Sequence, residues 1–120
     1  MDSSITLTLP WPPTINTYWR RHGNTYFISA KGLDYRRTAC LKSIEYHKSH
    51  LFDKRLSLFI CAFPPDKRRR DIDNILKVLI DSLQYAEIYH DDCQIDSIYI
   101  KRMPDLLNQV VVKIEEMIIA

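Results

Sequence analysis

From residue 66 the chain reads Asp66-Lys67-Arg68-Arg69-Arg70-Asp71-Ile72-Asp73-Asn74-Ile75-Leu76-Lys77, a run of cations leading into two aspartates that flank one isoleucine. A further acidic pair, Asp91-Asp92, follows downstream. Carboxylates are hard oxygen ligands; Mg²⁺ takes few of them and keeps water and substrate phosphate in the rest of its shell. A cation held this way acidifies water and polarises a phosphoryl group. Lys77 is placed to neutralise charge developing on the phosphate or to orient the water. Arg68, Arg69 and Arg70 would grip neighbouring phosphates. Metal-assisted phosphodiester hydrolysis is therefore the chemistry this pattern suits. The simpler alternative is that Asp71 or Asp73 caps the following helix, with the arginines as ion-pair partners.

The chemistry needs elements that bring these groups together. The spacing predicts a helix over 73–85, with Ile72, Leu76, Leu79, Ile80 and Leu83 on one face. Asp73, Asn74, Lys77 and Asp81 fall on another face as a polar stripe starting at the helix N-terminus. Asp71 shares a side with Asp73 only if the backbone there is still extended. That helix advances about 18 Å, and residues 85–92, if extended, return about 26 Å, enough to bring Asp91-Asp92 back. Such a return would start strand 95–101 near the end of strand 56–63, and the two would run antiparallel.

The remaining pattern supplies a sheet. Ile5, Leu7 and Leu9 alternate with polar residues, which predicts a half-buried strand stopped by Pro10-Trp11-Pro12-Pro13. Residues 14–28 read as a long loop with a short strand at 25–28. Ser29 is the expected N-cap of a basic helix over 30–48, with Gly32 weakening its start and Leu33, Cys40, Leu41 and Ile44 as its apolar stripe. The nearly unbroken apolar run Leu56–Phe63 predicts a central strand covered on both faces. Strands over 95–101 and 109–115 complete the order β-α-β-α-β-β. The fold expected is α/β in the α+β-like sense: a single domain, 1–120, with helices packed on a four-stranded mixed sheet.

Composition narrows the function classes. Residues 1–70 carry 13 Lys and Arg against 5 Asp and Glu, whereas residues 71–120 carry 4 against 10. A nuclease uses both halves, cations for phosphates and carboxylates for a metal, although two clusters that merely neutralise each other read the same way. Cys40, Cys61 and Cys93 are widely spaced, which excludes a disulfide scaffold and suits reduced thiols acting as small packing residues. His47 and His50 share a helix face but have no cysteine neighbours at zinc-ligand spacing. No secretory segment or spanning apolar run is evident, so a cytoplasmic protein without membrane contact is expected.

At these residues the chain resembles the RusA family of Holliday-junction resolvases. The resemblance rests on Pro65 through Lys77, then Asp81, then Asp91-Asp92-Cys93-Gln94, together with Leu9 through Asn16 and Ser29-Ala30-Lys31-Gly32. It implies that Asp71, Asp73 and Asp92 are metal-binding catalytic carboxylates, with Asp91 as the alternative third ligand. It also implies a functionally important Lys77 beside Asn74, a Mg²⁺ cofactor with Mn²⁺ as a substitute, and a homodimer acting on a four-way DNA junction in a cell or a virus-infected host. Asn16, Tyr18, Arg20 and Arg21, in the loop that also holds Trp19 and Tyr26, are the expected DNA contacts, joined by Arg68, Arg69, Arg70 and Asn74. The face of Arg36 and Arg37 is a second candidate DNA surface. After the helix the family commonly has a glycine-containing turn, where this chain has Tyr85-Ala86-Glu87-Ile88-Tyr89. The competing functions are a non-catalytic nucleic-acid-binding module and a metal nuclease for another branched DNA.

Overall fold

The computed structural model describes residues 4–118. Strands β1 (Ser4–Pro10), β4 (Leu56–Phe63), β5 (Ile95–Arg102) and β6 (Gln109–Glu116) form one mixed sheet in the order β1-β6-β4-β5. Alternation in sequence becomes facing rows across it: Leu7 stands opposite Val112, which stands opposite Ile60, which stands opposite Ile100. The helices α2 (Ala30–Lys42) and α3 (Leu76–Tyr85) cover this side, where Tyr35, Ala39, Leu79 and Leu83 join the buried strand residues in one core. The row Thr6, Lys113, Phe59 and Tyr99 lies on the other side, with Phe59 39% and Tyr99 60% exposed. The strand predicted to be covered on both faces is therefore central in order but fully covered on one face only.

Residues 15–28 fold into the short helix α1 (Ile15–Tyr18) and a separate two-stranded hairpin, β2 (Trp19–His22) with β3 (Thr25–Ile28). The first hairpin strand was not expected from sequence. Its signal is the Gly23-Asn24 pair between aromatic-containing segments, with Gly23 at φ +60 supplying the turn.

Ser29 caps α2 as expected, its hydroxyl accepting from Gly32 N–H at 3.1 Å. The helix ends at Lys42, short of 48, and its buried residues are Gly32, Tyr35 and Ala39. Of the stripe read from sequence, Cys40 packs against the core, but Leu33, Leu41 and Ile44 are exposed, so most of it is rotated away. The reason is close approach at Gly32. A Cβ there would meet Ile28 Cγ2 at 2.6 Å and the Tyr18 carbonyl at 2.9 Å, so glycine allows the base of the hairpin to lie against this face.

The connection from β4 to β5 overturns one expectation. The two strands pair parallel, with Leu56 opposite Ile95. α3 carries the chain back along the sheet, and residues 86–94 then stay at the same end, as a parallel crossover requires. His90 N–H donates to the Phe52 carbonyl, and the Gln94 amide donates to the carbonyls of Phe52 and Lys54 at 2.9 and 2.8 Å. The turn lacks glycine, and Glu87 takes the left-handed conformation at φ +58. Its carboxylate lies 3.2 Å from Lys48 Nζ and its carbonyl accepts from Lys48 N–H, which together hold that conformation.

Candidate active site

The chain leaves β4 through Pro64-Pro65 and enters a loop locked by Asp66. The Asp66 carboxylate meets Arg70 Nη1 at 2.7 Å and accepts from Arg68 N–H at 2.9 Å. The Arg70 contact, followed by that N–H bond, holds the Asp66 pKa down at about 2. The Arg70 guanidinium also lies over the Trp11 ring, 5.9 Å from its centroid, and the Arg70 carbonyl accepts a hydrogen bond from Arg102. Arg70 is therefore a structural strut. Arg68 is exposed and within 3.5 Å of Asp66. Lys67 and Arg69 make no ion pair or side-chain hydrogen bond among the described residues, and are open to phosphate. Sequence carried no local sign of the parts played by Trp11 and Arg102, because both meet this loop only through the fold.

Asp71 then sits at the cap position of a single 3-10 turn, Ile72–Ile75, with extended backbone at φ −77 and ψ 135. This is the extended geometry that lets Asp71 and Asp73 share a side. Its carboxylate makes no capping bond. Among the described residues neither Asp71 nor Asp73 has a cationic partner, although three arginines immediately precede them. Both are exposed, as is Asn74. The capping alternative accounts for neither carboxylate.

Lys77 lies one turn further on, and its Nζ reaches Asp92 Oδ2 at 3.8 Å. Asp92 begins another 3-10 turn, Asp92–Gln94, and its N–H donates to Gln84 Oε1 at 2.9 Å. Asp91 is committed to capping that turn, its carboxylate accepting from Cys93 N–H. Asp92 is thus the freer of the two. It flanks α3 on the side of Lys77, but its backbone is tied to Gln84, about 17 Å of helix beyond Asp73 at 1.5 Å per residue. Among the described residues no three His, Cys, Asp or Glu side chains cluster tightly enough to hold one ion. What the fold keeps together is Asp71 with Asp73 at the helix start and, separately, Lys77 with Asp92; the three carboxylates expected to converge do not do so here. The first pair suits a hard cation that takes one or two carboxylates and keeps water for a substrate phosphate to displace.

Asp81, on the same stripe in sequence, turns elsewhere. It accepts from Arg36 Nη2 at 2.8 Å and from the Tyr18 hydroxyl, which in turn accepts from Arg36 Nε at 2.6 Å. Tyr18 is 0% exposed, and burial, followed by the bond to Asp81, raises its pKa to about 12. Tyr18 is therefore a clamp between α1, α2 and α3 and is not available to stack on DNA, contrary to the expectation from sequence. Arg36 is likewise half-buried and paired, whereas Arg37 is exposed near Asp34. The residues that stay open are on the hairpin: Asn16 just before it, Arg20, and Arg21, which bonds the Gly23 carbonyl and lies over Tyr26 at 5.7 Å. Trp11 packs on the core, while Trp19 is exposed. Cys93 is exposed too, so only Cys40 and Cys61 act as packing residues.

The sequence is also similar to that of known proteins. The family described as Endodeoxyribonuclease RusA matches residues 10–115. The crossover junction endodeoxyribonuclease rusA of Enterobacteria phage HK97 is 50% identical over 95 residues, 78% of each chain. The corresponding protein of Escherichia coli (strain K12) is 33% identical over 106 residues, 85% of each chain. That of Enterobacteria phage 82 is 35% identical over 102 residues, 82% of each.

Proposed function

Because this chain belongs to the RusA family of endodeoxyribonucleases, we propose that it cuts four-way DNA junctions by Mg²⁺-assisted phosphodiester hydrolysis, in paired symmetric cuts made by a homodimer. The observation that carries the reading is the unpartnered pair Asp71 and Asp73 beside a loop whose Lys67 and Arg69 are also unpaired. A hard cation that keeps most of its water needs only one or two such carboxylates, and these two are not taken by another partner.

In this mechanism Lys67 and Arg69 bind phosphates flanking the scissile one, and Asn16, Arg20, Arg21 and Asn74 supply further contacts. Asp71 and Asp73 hold the cation. When bound, Mg²⁺, or Mn²⁺ in its place, supplies Lewis acidity toward the phosphoryl group and acidifies water. Lys77, one turn along from Asp73, would neutralise the charge that develops on the phosphate, with Asp92 positioning its ammonium. A two-fold dimer matches the approximate two-fold symmetry of the junction, so both strands are cut at equivalent positions. The uncovered sheet face around Phe59 and Tyr99 supports a partner subunit there. Among the described residues no helix is long and apolar enough to cross a membrane, and two relatives are phage-encoded. A cytoplasmic enzyme encoded by a phage or prophage accommodates both.

The test is cleavage of a synthetic mobile junction with Mg²⁺ and with chelator. Cleavage should need the metal, and Asp73→Asn should abolish cutting while junction binding in chelator persists. Cutting by Asp73→Asn at the wild-type rate would remove Asp73 from the site. Junction binding with no cleavage under any divalent metal would favour the non-catalytic binding module.

A further inference from the structure

Beside Asp71 the fold leaves a cavity of about 440 Å³, within the range of roughly 300–1,000 Å³ usual for small-ligand sites. Trp11, Met103 and Leu106 give it apolar walls, while Arg68, Arg102 and Asp71 stand among its polar lining. We propose that this cavity is a nucleobase pocket, which seats one unpaired base of the substrate next to the phosphate being cut. The proposal rests on the junction-nuclease reading and adds a subsite to it.

The two-sided chemistry points to that ligand. A phosphate alone has no use for a tryptophan, a methionine and a leucine. An apolar ligand has no use for guanidinium groups. A nucleotide uses both, its base packing on aromatic and apolar surface while the attached phosphate stays with the cations. The pocket is also held ready. Arg70 is pinned to Asp66 at 2.7 Å and lies over Trp11, and Arg102 is bonded to the Arg70 carbonyl. Trp11 and Arg70 also line a second hollow of about 500 Å³ beside Pro12 and Pro13, so the pair forms a partition between the two. A branch point offers bases that are already poorly stacked, for which extrusion costs least. Because the charged donors at the pocket are guanidinium groups and the Lys67 ammonium, a base edge presenting acceptors is favoured there, and the pocket becomes a determinant of which nucleotide flanks the cut.

The experiment places 2-aminopurine, one position at a time, around the branch of a synthetic junction and reads its fluorescence with saturating protein in chelator. Wild-type protein should change the signal sharply at a position adjoining the cut. Leu106→Arg, which fills the cavity from a partly exposed position, and Trp11→Leu should lose that change. In Mg²⁺ both should lower the ratio of cutting at preferred over other sites about tenfold or more, the loss expected of one stacking platform. No responsive position, or the same response in wild type and Leu106→Arg, overturns the pocket. Normal wild-type cleavage with a pocket-insensitive signal would leave the nuclease standing without the pocket. A pocket-dependent signal from a protein that never cuts would do the reverse.

Discussion

Replacing Lys77 by methionine separates catalysis from stability, because the structure bounds the stability effect in advance. Lys77 Nζ lies 3.8 Å from Asp92 Oδ2, with side chains 69% and 40% exposed. Two unit charges at that distance in water attract by about 1 kcal/mol, and exposed pairs measured by mutation contribute roughly 0.2–1 kcal/mol. Methionine keeps the aliphatic stem, so the melting temperature should fall by no more than about 4–8 °C for a domain near this size. If the ammonium also stabilises charge on the phosphoryl group, its loss should slow cutting about 10²–10³-fold, the scale of one transition-state donor. Single-turnover cleavage of a junction in Mg²⁺, a thermal melt and junction affinity in chelator together read all three quantities. A cleavage rate within threefold of wild type would refute the role given to Lys77. So would a rate loss matched by an equal loss of affinity, since that describes a phosphate contact and not a catalytic one.

Other outcomes follow from the same geometry. Lys67→Ala with Arg69→Ala should reduce the slope of log affinity against log salt by about 0.9 for each duplex phosphate contact removed; an unchanged slope would take this loop off the DNA surface. Gly32→Ala, which in an ordinary helix interior stabilises, should here cost about 1–3 kcal/mol through overpacking, because the new Cβ meets Ile28 at 2.6 Å and the Tyr18 carbonyl at 2.9 Å. A melting temperature equal to or above wild type would show that the hairpin base is not seated there. The raised Tyr18 pKa, about 12 against an ordinary value near 10, means that its stabilising contribution is complete below pH 10 and fades as pH rises toward 12. The stability gap between wild type and Tyr18→Phe should therefore narrow over that interval in denaturant titrations, and a constant gap would refute the assignment.

The sequence by itself determined the family and much of the frame. The Arg-Asp-x-Asp-Asn block, the strand alternation at Ile5, Leu7 and Leu9 and the apolar run Leu56–Phe63 are local patterns, and local backbone preference and side-chain periodicity suffice to read them. The extended residue before the helix, which leaves Asp71 and Asp73 free together, follows from the same kind of information. The direction of β5 did not, because it depends on where residues 86–94 find hydrogen-bond partners, and those partners are Phe52 and Lys54. The burial of Tyr18 was equally hidden, since Arg36 and Asp81, which satisfy its hydroxyl, come from two other helices. Gly32, weak by helix propensity, is required by the chain packed against it. Even the arginine run was resolved only in three dimensions, into a strut at Arg70 and an unpaired Arg69. Pattern reports what a residue can do with its neighbours in the chain, whereas its partners across space decide which of those options it keeps free.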